Sequence, residues 1–211
     1  VAEARRRAEA GEIQAVGITG KPFVFAVGAD LSGVPHVTSR DEAREIARAG
    51  HAAFAAVMDL PVPTFAFVNG AAMGGGVEIA LACDYRTISA GVPAIALPEV
   101  FLGLVPGWGG CYLLPRLVGP EAALTVVVEN PLSQNRMLSG PQAAKLGMAD
   151  TLFAPVDFLE DSIRWAASVL RGETTVERAP VSEDEGVWAA ACDAARALAD
   201  AKTSRTSPAP Y

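Results

Sequence analysis

The sequence is poor in the residue types that build disulfide frameworks and metal centres. Its 211 residues include three cysteines, Cys83, Cys111 and Cys192, without a Cys-x-x-Cys pair, and two histidines, His36 and His51, without a metal-ligand spacing. A disulfide-stapled fold and a zinc site are therefore not supported, and a reducing cytoplasm is the expected location. No apolar run reaches the roughly 18 residues that a membrane span needs, so we expect no membrane partner.

The sequence also has fewer basic than acidic residues. The 24 acidic side chains outnumber the 17 lysines and arginines, which gives a net charge of −7 and a pI of about 4.9. Binding to a phosphate backbone needs clustered basic residues, so we expect no nucleic-acid partner. Apolar residues make up 51% of the chain and charged residues 19%. That balance is typical of a folded globular protein, and the length favours one catalytic unit with an appendage.

Strand and helix patterns alternate over the first three quarters of the chain. Apolar runs rich in β-formers predict strands at 15–19, 23–27, 64–68 and 85–89. Helical spacing predicts helices at 1–10, 41–60 and 75–82. The alternation predicts an α/β layer architecture with a parallel or mixed sheet. Because the chain starts inside a helix at Val1, we expect further core strands upstream of it.

The pattern becomes mostly helical from Phe158 onward, most clearly at 158–171 and 184–201. The last residues, TSRTSPAPY, have the composition of a linker. We therefore divide the chain into a catalytic core, residues 1–157, and a helical C-terminal region, residues 158–211, that ends in a linker-like tail.

The segment 69–84, NGAAMGGGVEIALACD, is the most informative part of the sequence. Glycine in a helix costs roughly 1 kcal/mol relative to alanine, so Gly74, Gly75 and Gly76 at a helix start indicate that something approaches the backbone closely. The free N–H groups there would polarise a substrate carbonyl. Glu78 lies one turn further, among apolar residues that would raise its pKa and suit it to proton transfer. The alternative is that Glu78 caps its own helix.

Two other segments carry candidate chemistry. Glu99, in ALPEVF, is a second acid among apolar residues, and it either pairs with Glu78 in acid–base work or simply starts a helix. In FAVGADL, a strand ends at Gly28 and the chain turns through Ala29. An oxyanion hole needs two backbone donors, which Ala29 and Gly75 would supply from separate turns. A plain tight turn is the alternative for FAVGADL.

The segments FAVGADL, NGAAMGGGVEIALACD and ALPEVFLGLVPGWGG together resemble the motifs of the enoyl-CoA hydratase/isomerase family, the crotonase superfamily, in order and spacing. The resemblance covers about residues 11–158. It implies a spiral of ββα units, the ClpP/crotonase fold, with a helical C-terminal region. It also implies that Ala29 and Gly75 bind the thioester carbonyl and stabilise an enolate. The run from Cys83 to Asp150 is similar to the hydratase part of actinobacterial multifunctional fatty-acid oxidation proteins.

Both glutamate positions of the family's hydratases are filled, by Glu78 and Glu99. The resemblance therefore implies a 2-enoyl-CoA hydratase, which adds water syn to trans-2-enoyl-CoA and gives 3-hydroxyacyl-CoA in fatty-acid β-oxidation. Coenzyme A is part of the substrate, so neither a cofactor nor a metal is expected. The alternatives are a 3,2-enoyl-CoA isomerase and, from a different class, a non-catalytic RNA-binding relative, which the acidic charge balance opposes.

The resemblance also implies contacts with the acyl-CoA thioester. The expected substrate-binding residues are Val27, Ala29, Asp30, Leu31, Gly74 and Trp108. Asp30 is better suited to holding the turn than to contacting the substrate. Trp108 replaces a smaller residue that is common in the family's Pro-Gly-x-Gly-Gly segment, and it either narrows the acyl pocket or only packs. Relatives form trimers or dimers of trimers, so we expect a homotrimer or hexamer, or fusion to or association with other β-oxidation activities.

Overall fold

The computed structural model describes residues 1–28 and 37–211, whose strands form two parallel sheets. The strands are β1 (Val16–Thr19), β2 (Phe23–Ala26), β3 (Thr64–Val68), β4 (Gly70–Met73), β5 (Tyr85–Ser89), β6 (Ile95–Ala96) and β7 (Thr151–Phe153). The larger sheet has the order β1-β3-β5-β7 and the smaller one β2-β4-β6. Successive strands therefore alternate between the sheets, and the chain advances as a spiral of strand pairs.

Helices connect the strand pairs and cover the sheets. They are α1 (Ala2–Glu9), α2 (Arg40–Met58), α3 (Gly75–Ala82), α4 (Gly110–Val118), α5 (Pro120–Leu124), α6 (Asn130–Leu132), α7 (Gly140–Lys145), α8 (Phe158–Leu170) and α9 (Glu185–Thr203). A 3-10 helix spans Glu99–Leu102 and a π-helix spans Thr125–Glu129. The start of α2 is fixed by a capping box between Ser39 and Glu42, in which each side chain accepts a backbone N–H of the other residue.

Strand β3 is buried along its whole length because it pairs with a strand on each side and is covered on both faces. Its side chains alternate between the faces, as in any strand. Ala66 and Val68 join the main core, whereas Phe65 and Phe67 pack with Phe158 of α8 in a second cluster. Covered parallel strands read as continuous apolar runs, which is why TFAFV is so clear in the sequence.

Residues 70–73 form strand β4, which is not among the strands that the apolar runs of the sequence predict. The run GAAM has little β-propensity of its own, but it pairs with β2 on one side and β6 on the other. Asn69 makes the corner between the two sheets. Its amide accepts from Gly20 N at 3.0 Å and donates to Lys21 O at 2.8 Å, which ties the β1–β2 turn to the β3–β4 junction.

The C-terminal segment is tied to the large sheet by a buried carboxylate. Asp150 is 2% exposed at its side chain and accepts from Arg178 at 2.7 Å, and it lies 3.8 Å from Arg86 of β5. Two cations thus offset the cost of burying one carboxylate. The division of the chain at residue 158 stays a prediction. None of the helices within residues 1–28 and 37–211 combines the length and apolarity that a membrane crossing requires.

Candidate active site

The start of α3 lies where the two sheets and the Glu99 segment meet. Gly74 caps the helix in a conformation (φ 53°, ψ −126°) that glycine adopts far more easily than other residues, and its N–H donates to Ala96 O of β6 at 2.9 Å. The turn after β2 is adjacent, because a Cβ placed on Gly28 would lie 3.5 Å from Gly75 N. Gly75 is the first residue of α3, so its N–H has no partner within the helix.

Glu78 is a buried carboxylate, only 1% exposed, held by a distant part of the backbone. Its Oε1 accepts from Trp108 N at 2.8 Å and from Gly110 N at 2.8 Å. Glu78 therefore binds the 108–110 segment instead of capping its own helix. Burial raises the pKa of Glu78, although the bonds from Gly110 and Trp108, and the nearby His51, oppose that shift. Gly110 has little room for a side chain, since a Cβ on it would lie 2.7 Å from Pro106 Cβ and 3.1 Å from Glu78 Oε1.

Glu99 is half-buried and begins the 3-10 helix that follows Pro98. Its Oε2 is buried without a hydrogen-bond partner among the described residues. Burial, reinforced by the negative charge of Glu78, raises the pKa of Glu99 to about 7, while a bond from its own backbone N–H opposes the shift. Its Oε1 reaches the start of α3, where a Cβ on Gly74 would lie 2.6 Å from it.

The structure therefore brings Glu78, Glu99 and the first turn of α3 together. The charge of Glu78 raises the pKa of Glu99, and burial and both acids raise the pKa of Cys111. One carboxyl group near its pKa at neutral pH and a second one held by backbone donors can serve as a proton donor and a proton acceptor. The arrangement suits proton transfer to and from a substrate whose carbonyl oxygen meets the N–H of Gly75.

The side chain of Trp108 covers the same helix start. Its ring lies against Gly75, where a Cβ would be 3.0 Å from Cζ3, and against Gly50 of α2. Phe54 meets the indole edge to face, with ring centroids 5.8 Å apart. Trp108 thus donates its backbone N–H to Glu78 and packs its side chain between α2 and α3.

Some of the other predicted site residues lie outside the part of the chain that the structure describes. Ala29, Asp30 and Leu31 lie outside the described residues, so the second predicted oxyanion donor stays a prediction. Val27 lies just before them and is exposed. His51, for which the sequence indicates no role, is near enough to lower the pKa of Glu78. Its position seven residues before Met58 in a plain amphipathic helix gives no sequence signal for this.

The site has no feature of a metal centre within the described ranges. No group of three or more His, Cys, Asp or Glu side chains in residues 1–28 and 37–211 could hold a metal ion. The expectations of no metal and no cofactor stay predictions.

Comparison with known proteins gives matches over most of the chain. A family model described as enoyl-CoA hydratase/isomerase matches residues 2–182. The fatty acid oxidation complex subunit alpha of Shewanella loihica is 37% identical over 166 residues, which are 78% of this chain and 23% of that protein. The chain therefore spans less than a quarter of the length of this relative.

Solved structures with the same fold cover most of the chain as well. DspI of Pseudomonas aeruginosa is 33% identical with a TM-score of 0.69, over 80% of this chain and 68% of that one. An enoyl-CoA hydratase from Bacillus anthracis is 28% identical with a TM-score of 0.70, over 80% of this chain and 63% of that one. These likenesses confirm the predicted α/β spiral fold.

Proposed function

Because this chain belongs to the enoyl-CoA hydratase/isomerase family, we propose that it is a 2-enoyl-CoA hydratase, which adds water to the 2,3 double bond of a trans-2-enoyl-CoA thioester. The observation that carries this proposal is the pair of acids, Glu78 and Glu99, at the start of α3, both with raised pKa values. Moving a double bond transfers a proton between two carbons and can use one acid. Adding water requires a proton taken from oxygen and another given to carbon, which two acids serve better.

The reaction starts when the thioester carbonyl accepts a hydrogen bond from Gly75 N–H and, as predicted, from Ala29 N–H. The ionised carboxylate of Glu78 takes a proton from water while the water oxygen bonds to C3. The π electrons of the double bond move onto the thioester and form an enolate, which the backbone donors stabilise. Protonated Glu99 then gives its proton to C2. Water is added without oxidation or reduction, and the proton gained by Glu78 returns through solvent to Glu99.

The surroundings of the two acids support this division of roles. Glu78 Oε1 accepts two backbone N–H bonds, which favour its ionised form. Glu99 has a buried oxygen without a partner among the described residues and a pKa of about 7, so a large fraction of it is protonated near neutral pH. A proton donor whose pKa lies near the working pH is efficient.

The similarity to a fatty acid oxidation subunit supports a place in β-oxidation, with an acyl-CoA thioester as the partner. This proposal covers hydration alone, because the chain matches 23% of that subunit. The cytoplasmic location and the homotrimer, hexamer or larger β-oxidation assembly stay predictions.

The test compares wild type with Glu78→Gln and Glu99→Gln in the hydration of crotonyl-CoA, followed by the loss of enoyl absorbance. Each variant should lose about a hundredfold to ten-thousandfold in kcat/KM, the usual contribution of one general acid or base. Glu121→Gln, at an exposed glutamate on α5, is the control and should keep wild-type activity. Full activity of either site variant refutes the mechanism. Faster conversion of a 3-enoyl-CoA than hydration of crotonyl-CoA would favour the isomerase.

A further inference from the structure

Two glycines from different helices hold the indole of Trp108. A Cβ placed on Gly50, in the middle of α2, would collide with Nε1, Cε2 and Cδ1 of the ring. A Cβ on Gly75, at the start of α3, would lie 3.0 Å from Cζ3 and 3.1 Å from Cε3. The pyrrole side of the indole therefore packs on α2 and the benzene side on α3.

The backbone conformation of Gly50 does not require a glycine. It lies inside a regular helix of 19 residues, and it is not among the residues with positive φ. Glycine in such a position costs roughly 1 kcal/mol relative to alanine. The collision with the indole gives the reason, since only glycine leaves room for the ring. Phe54, one turn later on the same helix face, completes the contact edge to face.

The indole lies next to the groups that would meet the reacting atoms. The amide of Gly75 would bind the thioester oxygen, and Glu78 accepts from the backbone N–H of Trp108 itself. If C2 and C3 of an acyl chain lie at the two glutamates, its further carbons can extend into the space between α2 and α3. The ring of Trp108 spans that space from Gly50 to Gly75.

We propose that Trp108, seated on Gly50, closes the far end of the acyl site and restricts the protein to short acyl-CoA thioesters. The proposal rests on the proposed function for its substrate, but it concerns binding and not the chemical step. Each methylene that an apolar pocket accepts or rejects is worth about 10- to 200-fold in kcat/KM. Wild type should therefore prefer crotonyl-CoA over trans-2-octenoyl-CoA by at least about tenfold.

The test replaces the ring and keeps the backbone. Trp108→Ala retains the N–H that Glu78 accepts, so the acid keeps its partner while the space between the helices opens. The kcat/KM ratio of octenoyl-CoA to crotonyl-CoA should rise at least about tenfold. Trp108→Leu is a second variant that keeps part of the apolar volume if the alanine variant does not fold, and it should shift the ratio in the same direction. Trp188→Ala is the control, since that indole lies on α9 and donates to Ser182 O.

A separate binding measurement distinguishes this proposal from the hydratase proposal. Butyryl-CoA and octanoyl-CoA are saturated and cannot be hydrated, and their affinities are measured by calorimetric titration of wild type and Trp108→Ala. Tighter binding of butyryl-CoA by wild type, with octanoyl-CoA gaining in the variant, supports the role of Trp108 even if no substrate is hydrated. Equal binding of both lengths by wild type, or an unchanged ratio in both variants, overturns it even if hydration is fast.

Discussion

Replacing Glu99 with glutamine should stabilise the protein at alkaline pH more than at acidic pH. Burial and the charge of Glu78 raise the pKa of Glu99 from 4.5 to about 7. A raised carboxyl pKa means that the folded state binds the proton more tightly than the unfolded state does. The contribution of Glu99 to the free energy of unfolding is therefore fully present below about pH 4.5 and is lost as pH rises toward about 7. Glutamine cannot ionise, so the variant does not suffer this loss.

The expected change in the free energy of unfolding follows from the pKa of Glu99 and from the exposure of its side chain. The rise from 4.5 to about 7, at about 1.4 kcal/mol for each pKa unit, gives an upper figure of ~3 kcal/mol. Glu99 is only half-buried, so solvent screening reduces that figure. We expect a change of about 1–2 kcal/mol in the free energy of unfolding of the variant relative to wild type between about pH 5 and about pH 8.

Urea unfolding of wild type, Glu99→Gln and the control Glu121→Gln at these two pH values measures the effect. The free energy of unfolding of Glu99→Gln minus that of wild type should be more positive at about pH 8 than at about pH 5. The same difference for Glu121→Gln should not change with pH, because no buried carboxylate is removed. A pH-independent difference for Glu99→Gln would refute the burial of an ionisable Glu99 and, with it, its assignment as the proton donor.

Two further predictions concern the same acid and the glycine beside it. If protonated Glu99 is the donor to C2, kcat/KM for crotonyl-CoA hydration should fall above about pH 7 and approach a tenfold loss per pH unit. A flat profile of kcat/KM between about pH 6 and 8 would contradict this role of Glu99. Gly74→Ala should cost about 1–3 kcal/mol in urea unfolding and also lower hydration, because its backbone strain is joined by a collision with Glu99 Oε1. The matched control is Gly172→Ala, where φ is +72° but no atom lies within 4 Å of the added Cβ. It should show the strain alone, with unchanged activity.

The elements that the sequence predicts best are those whose pattern is local. Strands β3 and β5 and helix α3 have the ends that their apolar runs and glycines predict, 64–68, 85–89 and 75–82. Strand β4 was missed because its small side chains carry no strand signal. Its pairing with β2 and β6 comes from residues more than 20 positions away, which a local pattern does not contain.

The contacts of the candidate site are also formed by residues far apart in the sequence, so a local pattern does not predict them. Apolar neighbours predict that Glu78 is buried, but its partners are two backbone N–H groups 30 and 32 residues later, and backbone donors have no residue type to recognise. The contact between Gly50 and Trp108 is similar, because a single glycine in an alanine-rich helix gives no indication of which ring it admits.

The three consecutive glycines at the start of α3 each make room for a different neighbour. A Cβ on Gly74 would meet the carboxylate of Glu99, one on Gly75 would meet the indole of Trp108, and one on Gly76 would collide with the backbone carbonyl of Ala26 in β2. The first glycine makes room for a carboxylate, the second for an indole ring and the third for the backbone of a strand. A run of glycines was expected where one ligand atom approaches the backbone. The structure shows that a Cβ at any of the three positions would lie 3.0 Å or less from another part of the protein, before any substrate arrives.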